Sequence, residues 1–99
     1  MRKIFLLGLG LVLSVMATAQ VTVKGKVMDA ISGELLEGAT ISTRNQSALS
    51  GRDGSYTLVL PMGEYALVAK VEGFDNDTIL LQADRNLITD VNFKLDNQS

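Results

Sequence analysis

The 99-residue chain has no cysteine, no histidine and no tryptophan, and it carries one proline, two tyrosines and three phenylalanines. Each absence removes a class of chemistry. Without cysteine there is no thiolate nucleophile and no disulfide. Without histidine the Ser-His and Cys-His pairs and imidazole-ligated metal sites are excluded as well. Ser32, Ser42, Ser47, Ser50 and Ser55 lie in turn or strand contexts with no basic neighbour. Lys24, Lys26, Lys70 and Lys94 could serve a Ser-Lys pair only from the solvent sides of alternating segments. Carboxylates are available for pairing (Asp29, Glu34, Glu37, Asp53, Asp75, Asp77). A chain that must commit most of its apolar residues to one core leaves no cleft for them to line. The reading is a non-enzymatic chain with no cofactor and no resident metal.

Basic charge is scarce too. Two of the nine Lys and Arg residues, Arg2 and Lys3, belong to a segment with the three regions of a secretory signal. Met1-Arg2-Lys3 is its positive start, and "IFLLGLGLVLSV" (residues 4–15) is its apolar stretch, short for a bilayer span. Ala17-Thr18-Ala19 supplies the small-x-small cleavage pattern. Cleavage after Ala19 leaves seven cationic against eleven acidic side chains, a net charge of −4. An acidic chain with no basic run is a poor ligand for nucleic acid, which needs clustered cations. With no cysteine after the apolar stretch, a lipid anchor has no attachment atom. The expected divisions are a signal peptide at 1–19, a domain at 20–95 and a short polar tail at 96–99. The expected location is outside the cytoplasm, periplasmic, outer-membrane-associated or secreted, with no stable membrane span after cleavage. A domain of about eighty residues buries only roughly 60% of its unfolded surface, so it depends on one well-packed core.

What is present is alternation with period two. Val21, Val23 and Val27 alternate with Thr22, Lys24 and Lys26, and Ala39 and Ile41 with Thr40 and Ser42. Tyr56, Leu58 and Leu60 share one face, as do Tyr65, Leu67, Ala69 and Val71. Leu87, Val91, Phe93 and Leu95 are set against Ile88, Asp90, Asn92 and Lys94. This is the pattern of half-buried strands. Turn formers separate the runs at "DAISGE", "RDG", "PMGE", "EGFDND" and "ADRN". The predicted fold is all-β, a small antiparallel Greek-key, prealbumin-like sandwich of about seven strands.

Two turns carry specific expectations. Asp53-Gly54 predicts a type I′ hairpin placing Leu49 opposite Leu58. A four-residue loop from Pro61 to Glu64, with Gly63 left-handed, pairs Leu60 with Tyr65 and Leu58 with Leu67. Together they predict a three-strand meander. Its opposite side carries Val59, Ala66 and Val68, which would form a docking patch if contiguous. Gly51-Arg52-Asp53-Gly54 lacks the spacing of a phosphate loop and precedes no helix. Asp75-Asn76-Asp77 clusters oxygen ligands, but lacks the spacing and distal Glu of a calcium loop. Phe74, beside Gly73, is the aromatic expected at a loop, where it plugs one end of the sandwich.

From Val21 to about Leu95 the chain resembles the carboxypeptidase-regulatory-like (transthyretin-like) β-sandwich domains. The matching stretches are "VKGKVMDAISGELLEGATI" and "SGRDGSYTLVLPMGEYALVAKVEGF", with Gly25, Gly38, Gly54, Gly63 and Gly73 as structural glycines. Such domains occur in exported proteins of Bacteroidota-type bacteria, beside peptidases or ahead of the plug and barrel of TonB-dependent receptors. The resemblance implies a non-catalytic accessory module acting by protein–protein contact, with an envelope protein as partner. Two alternatives accompany it. One is a carbohydrate-binding module with a starch-binding-like fold, which would use Phe74, Asp75, Asn76 and Asp77 toward a glycan. The other is the N-terminal part of a TonB-dependent receptor. In that bacterial group Asp77-Thr78-Ile79 also looks like an O-glycosylation site at Thr78.

Overall fold

The computed structural model describes residues 19–98, so the predicted signal segment lies outside the described residues but for Ala19. Eight strands are formed: β1 (Gln20–Asp29), β2 (Thr40–Thr43), β3 (Gln46–Leu49), β4 (Ser55–Pro61), β5 (Gly63–Lys70), β6 (Asp77–Ala83), β7 (Leu87–Ile88) and β8 (Phe93–Leu95). They divide into two sheets. The first has the order β4-β1-β7, with β8 pairing β1 further along, and the second has the order β3-β2-β5-β6. The second sheet is antiparallel throughout. The first is mixed, because β1 runs antiparallel to β4 but parallel to β7 and β8.

The alternation read from the sequence selects the core. Val21, Val23 and Val27 of β1, Tyr56, Leu58 and Leu60 of β4, and Phe93 and Leu95 of β8 point inward from the first sheet. Ile41, Tyr65, Leu67, Ala69 and Ala83 meet them from the second. Burying a Val, Leu, Ile or Phe side chain stabilises the fold by roughly 1.5–3 kcal/mol. With no disulfide available, this packing is the main source of stability.

The predicted meander does not form. β3 pairs with β2, β4 with β1, and β5 with β2 and β6, so the chain changes sheet at both turns. A single meander would leave its apolar face uncovered. Sending alternate strands to facing sheets turns the same side chains onto one another. Leu49, expected opposite Leu58, is instead 68% exposed.

The first crossover turn is also built differently. The Gly54 N–H donates to the Gly51 carbonyl and the Gly51 N–H to the Ser55 carbonyl, each at 2.9 Å. Gly54 has φ 75° while Asp53 is not in the positive-φ region, which rules out type I′. The geometry is that of a three-residue loop ending in a left-handed glycine. The Asp53 carboxylate accepts the Ser55 hydroxyl at 2.6 Å and the Ser55 N–H at 3.1 Å. These bonds hold its pKa below the ordinary carboxylate value. At the second crossover only Met62 separates β4 from β5, and the Tyr65 hydroxyl donates to the Pro61 carbonyl at 2.6 Å. Gly63 has φ 154°, a positive value that favours glycine there.

The terminal strand also departs from expectation. Leu87 is 53% exposed while its neighbour Ile88 packs against the core. Asp90, at φ 60°, shifts the chain by one residue between β7 and β8. The inward position in β7 is therefore even-numbered, at Ile88, and those after Asp90 are odd-numbered, at Val91, Phe93 and Leu95. The Val91 carbonyl produced by this break accepts the buried Tyr56 hydroxyl at 2.6 Å. Its oxygen occupies the space that a Cβ on Gly25 would need, so only glycine fits at that point of β1.

Candidate functional site

The predicted docking patch is divided by the sheet topology. Val59 lies on β4 in the first sheet, whereas Ala66 and Val68 lie on β5 in the second, so they occupy opposite outer faces. The loop between β5 and β6 is tied to the end of the chain. The Asp75 N–H donates to the Asp96 carbonyl at 2.8 Å, and the Gln98 N–H to the Gly73 carbonyl at 2.9 Å. Phe74, bridged to Asn97, is half-buried and packs against the core. Asp75 and Asn76 are exposed, and Asp77 begins β6. The Thr78 side chain is exposed, and its backbone N–H donates to the Asp77 carboxylate at 3.0 Å. Of the turn residues, Asp53 and Gly54 form one crossover and Pro61 and Gly63 the other.

Among the described residues, no His, Cys, Asp and Glu group of three or more is placed to hold a metal ion. Nor does any buried side-chain polar atom there lack a partner. The burial of Tyr56 raises its pKa above the ordinary phenol value. Its hydroxyl is already committed to the Val91 carbonyl, so the shift reflects packing.

The exposed feature with the clearest chemistry is the free edge of the second sheet, strand β6. Its seven residues, DTILLQA, pair with β5 on one side only. Natural edges are usually blunted by lysine, proline, bulges or brevity. β6 has no lysine, no proline and a continuous register with β5, and its one charge is Asp77 at the start. The direction of its free groups follows from parity. The Thr78 N–H turns to its neighbour's carboxylate, and the Gln82 carbonyl accepts the Asp84 N–H at 3.1 Å. Even-numbered residues thus direct their main-chain groups away from β5, and Leu80 is the even residue between them. Its side chain is 83% exposed on the outer face, beside Ala66 of β5.

A shallow depression of about 580 Å³ borders this edge, lined by Arg44, Glu64, Tyr65, Ala66, Leu80 and Gln82 among others. Arg44 shapes its far wall. Its guanidinium sits 4.9 Å from the centre of the Tyr65 ring and donates to the Glu64 carbonyl at 2.6 Å. The depression thus joins an apolar floor, an aromatic–cation wall and an open strand edge.

Sequence reasoning missed this edge. The run "TILLQ" was available as a signal, since it is apolar, lacks lysine and proline, and lies between turn formers. Its three consecutive apolar residues, Ile79 to Leu81, do not alternate, so periodicity passes over them. That β6 lies at an edge follows only from the strand order.

The two-sheet sandwich defines a small all-β module. The chain belongs to the carboxypeptidase regulatory-like domain family, whose profile matches residues 22–96. It is similar in structure to a DUF3823 family protein from Parabacteroides merdae, at 19% sequence identity and a TM-score of 0.55. The match covers 83% of this chain and 47% of that one, so the chain spans less than half of that protein's length. At this identity the likeness establishes the fold. No curated protein matches the chain significantly.

Proposed function

We propose that this domain is a non-catalytic accessory module of the bacterial envelope, exported through its N-terminal segment and acting by protein–protein contact along β6. The observation that carries the reading is the unprotected seven-residue edge with Leu80 83% exposed at its centre. Exposed apolar residues are common singly. One placed on an open main-chain edge is not equivalent, because strand addition supplies hydrogen bonds as well as apolar contact. Membership of a regulatory-like domain family supports the accessory role.

In-cell photo-cross-linking in the native host tests it. A photoreactive residue at Leu80 is expected to yield cross-linked species in the envelope fraction, while one at Lys24, on the outer face of the first sheet, yields none. Equal or absent cross-linking from the two positions would reject the reading.

A further inference from the structure

We propose that the partner at this edge is a second copy of the chain, with β6 pairing antiparallel to β6 about a two-fold axis at Leu80. The inference deepens the contact reading above and rests on it. An isologous pair requires a strand that complements its own reverse, and β6 does so from Thr78 to Gln82. With Leu80 opposite Leu80 of the second copy, all seven residues from Asp77 to Ala83 overlap. Thr78 then faces Gln82 of the other copy, and Ile79 faces its Leu81. Polar residues meet polar on the outer face, and half-buried aliphatics meet on the inner one. The even parity of the outward-directed main-chain groups matches this register. Leu80 pairs with its own copy, and Thr78 with Gln82 once the Thr78 N–H leaves the Asp77 carboxylate and the Gln82 carbonyl turns from the Asp84 N–H.

Charge points the same way. The register brings Asp75, two residues before β6, to the end where Arg85 of the second copy stands, two residues after it. Both side chains are available. Among the described residues Arg85 pairs with the adjacent Asp84 carboxylate, at 3.2 Å with its side chain 72% exposed, and Asp75 is exposed. The other edges suit pairing less. β3 has four residues, and β7 and β8 have two and three. β4 is closed at its start by the Gly51–Ser55 bond and ends in Pro61. Pairing at β6 would join two four-stranded sheets into one continuous eight-stranded sheet.

The absence of native cysteine makes the register directly measurable. A hydrogen-bonded antiparallel pair separates Cα atoms by about 5.5 Å, within disulfide reach. In a glutathione redox buffer, Leu80→Cys should form a disulfide-linked dimer about ten-fold faster, or more, than Thr78→Cys. The two Thr78 positions would stand about 13 Å apart along the strands. Thr78→Cys combined with Gln82→Cys should recover the fast rate. In sedimentation velocity the unsubstituted protein should dimerise with rising concentration, Arg85→Asp should weaken the dimer, and adding Asp75→Arg should restore it. All these positions are exposed, and thermal unfolding of each variant verifies that it folds. A protein that stays monomeric at millimolar concentration, or equal cross-linking rates for Leu80→Cys and Thr78→Cys, would overturn the proposal. If Leu80 still captures a different envelope protein in cells, self-pairing is overturned and the contact reading stands. If Leu80 captures nothing, both are overturned.

Discussion

Tyr56 shows how one side chain joins distant parts of this chain. Its ring packs 5.9 Å from that of Phe93, and its hydroxyl reaches the Val91 carbonyl across 35 residues of sequence. Burial disfavours the phenolate, so the folded pKa lies above the unfolded value of about 10. The linkage has a definite sign. Below pH 10 the tyrosine is neutral in both states and its contribution is complete. Above pH 10 the unfolded chain loses the proton first, so stability falls as pH rises toward the folded pKa. Urea titrations from pH 8 to 11 should therefore show a falling midpoint whose slope is reduced in Tyr56→Phe. At pH 8 the same variant should lose about 1–2 kcal/mol, because the Val91 carbonyl is left without this donor. An unchanged alkaline slope would show that Tyr56 titrates freely.

At the scale of elements, the decisive pieces are the crossovers. The Gly51–Ser55 loop moves the chain from β3 in one sheet to β4 in the other, and Ser50 anchors its entry. The buried Ser50 hydroxyl accepts the Ala39 N–H at 2.9 Å and donates to the Leu36 carbonyl at 2.7 Å. Gly54 sits where φ is 75° and where a Cβ would meet the Val27 carbonyl oxygen at 2.8 Å. Gly54→Val should thus cost about 3 kcal/mol, combining positive-φ strain with a backbone clash. Denaturant unfolding with an unchanged midpoint would contradict this account of the turn. At the other end, Asp90 divides the predicted final strand into β7 and β8 by its left-handed conformation. An aspartate tolerates that region better than a bulky residue, so the sequence carries no strong mark of the break.

As a whole molecule, the sandwich has one core shared by both sheets, and neither sheet has an apolar face that survives alone. It should unfold as a single cooperative unit. The two tyrosines offer a test, since Tyr56 reports the first sheet and Tyr65 the second. In single Tyr→Phe variants, the remaining tyrosine's fluorescence and the far-UV circular dichroism should give one coincident transition for each protein. Separate transitions within one variant would show sheets that melt independently. Edge pairing through β6 would extend this unit without altering its core.

Period-two alternation was legible because each half-buried strand must turn one face from water. It correctly placed Val21, Val23, Leu58, Leu60, Leu67 and Phe93 in the core, whichever strands were to be their neighbours. The lack of histidine and cysteine likewise removed whole catalytic classes on composition alone. Which strands would be neighbours was not legible. Leu58 and Leu67 satisfy the same alternation whether their strands pair in one meander or face across two sheets, and only mutual burial of two apolar faces decides between them. That choice separated Val59 from Ala66, gave Gly25 its contact with Val91, and left β6 at the border of a sheet. Alternation is a local property of the chain. An edge exists only relative to the strand order, so the tertiary structure alone determined which strand of this protein was left unpaired on one side.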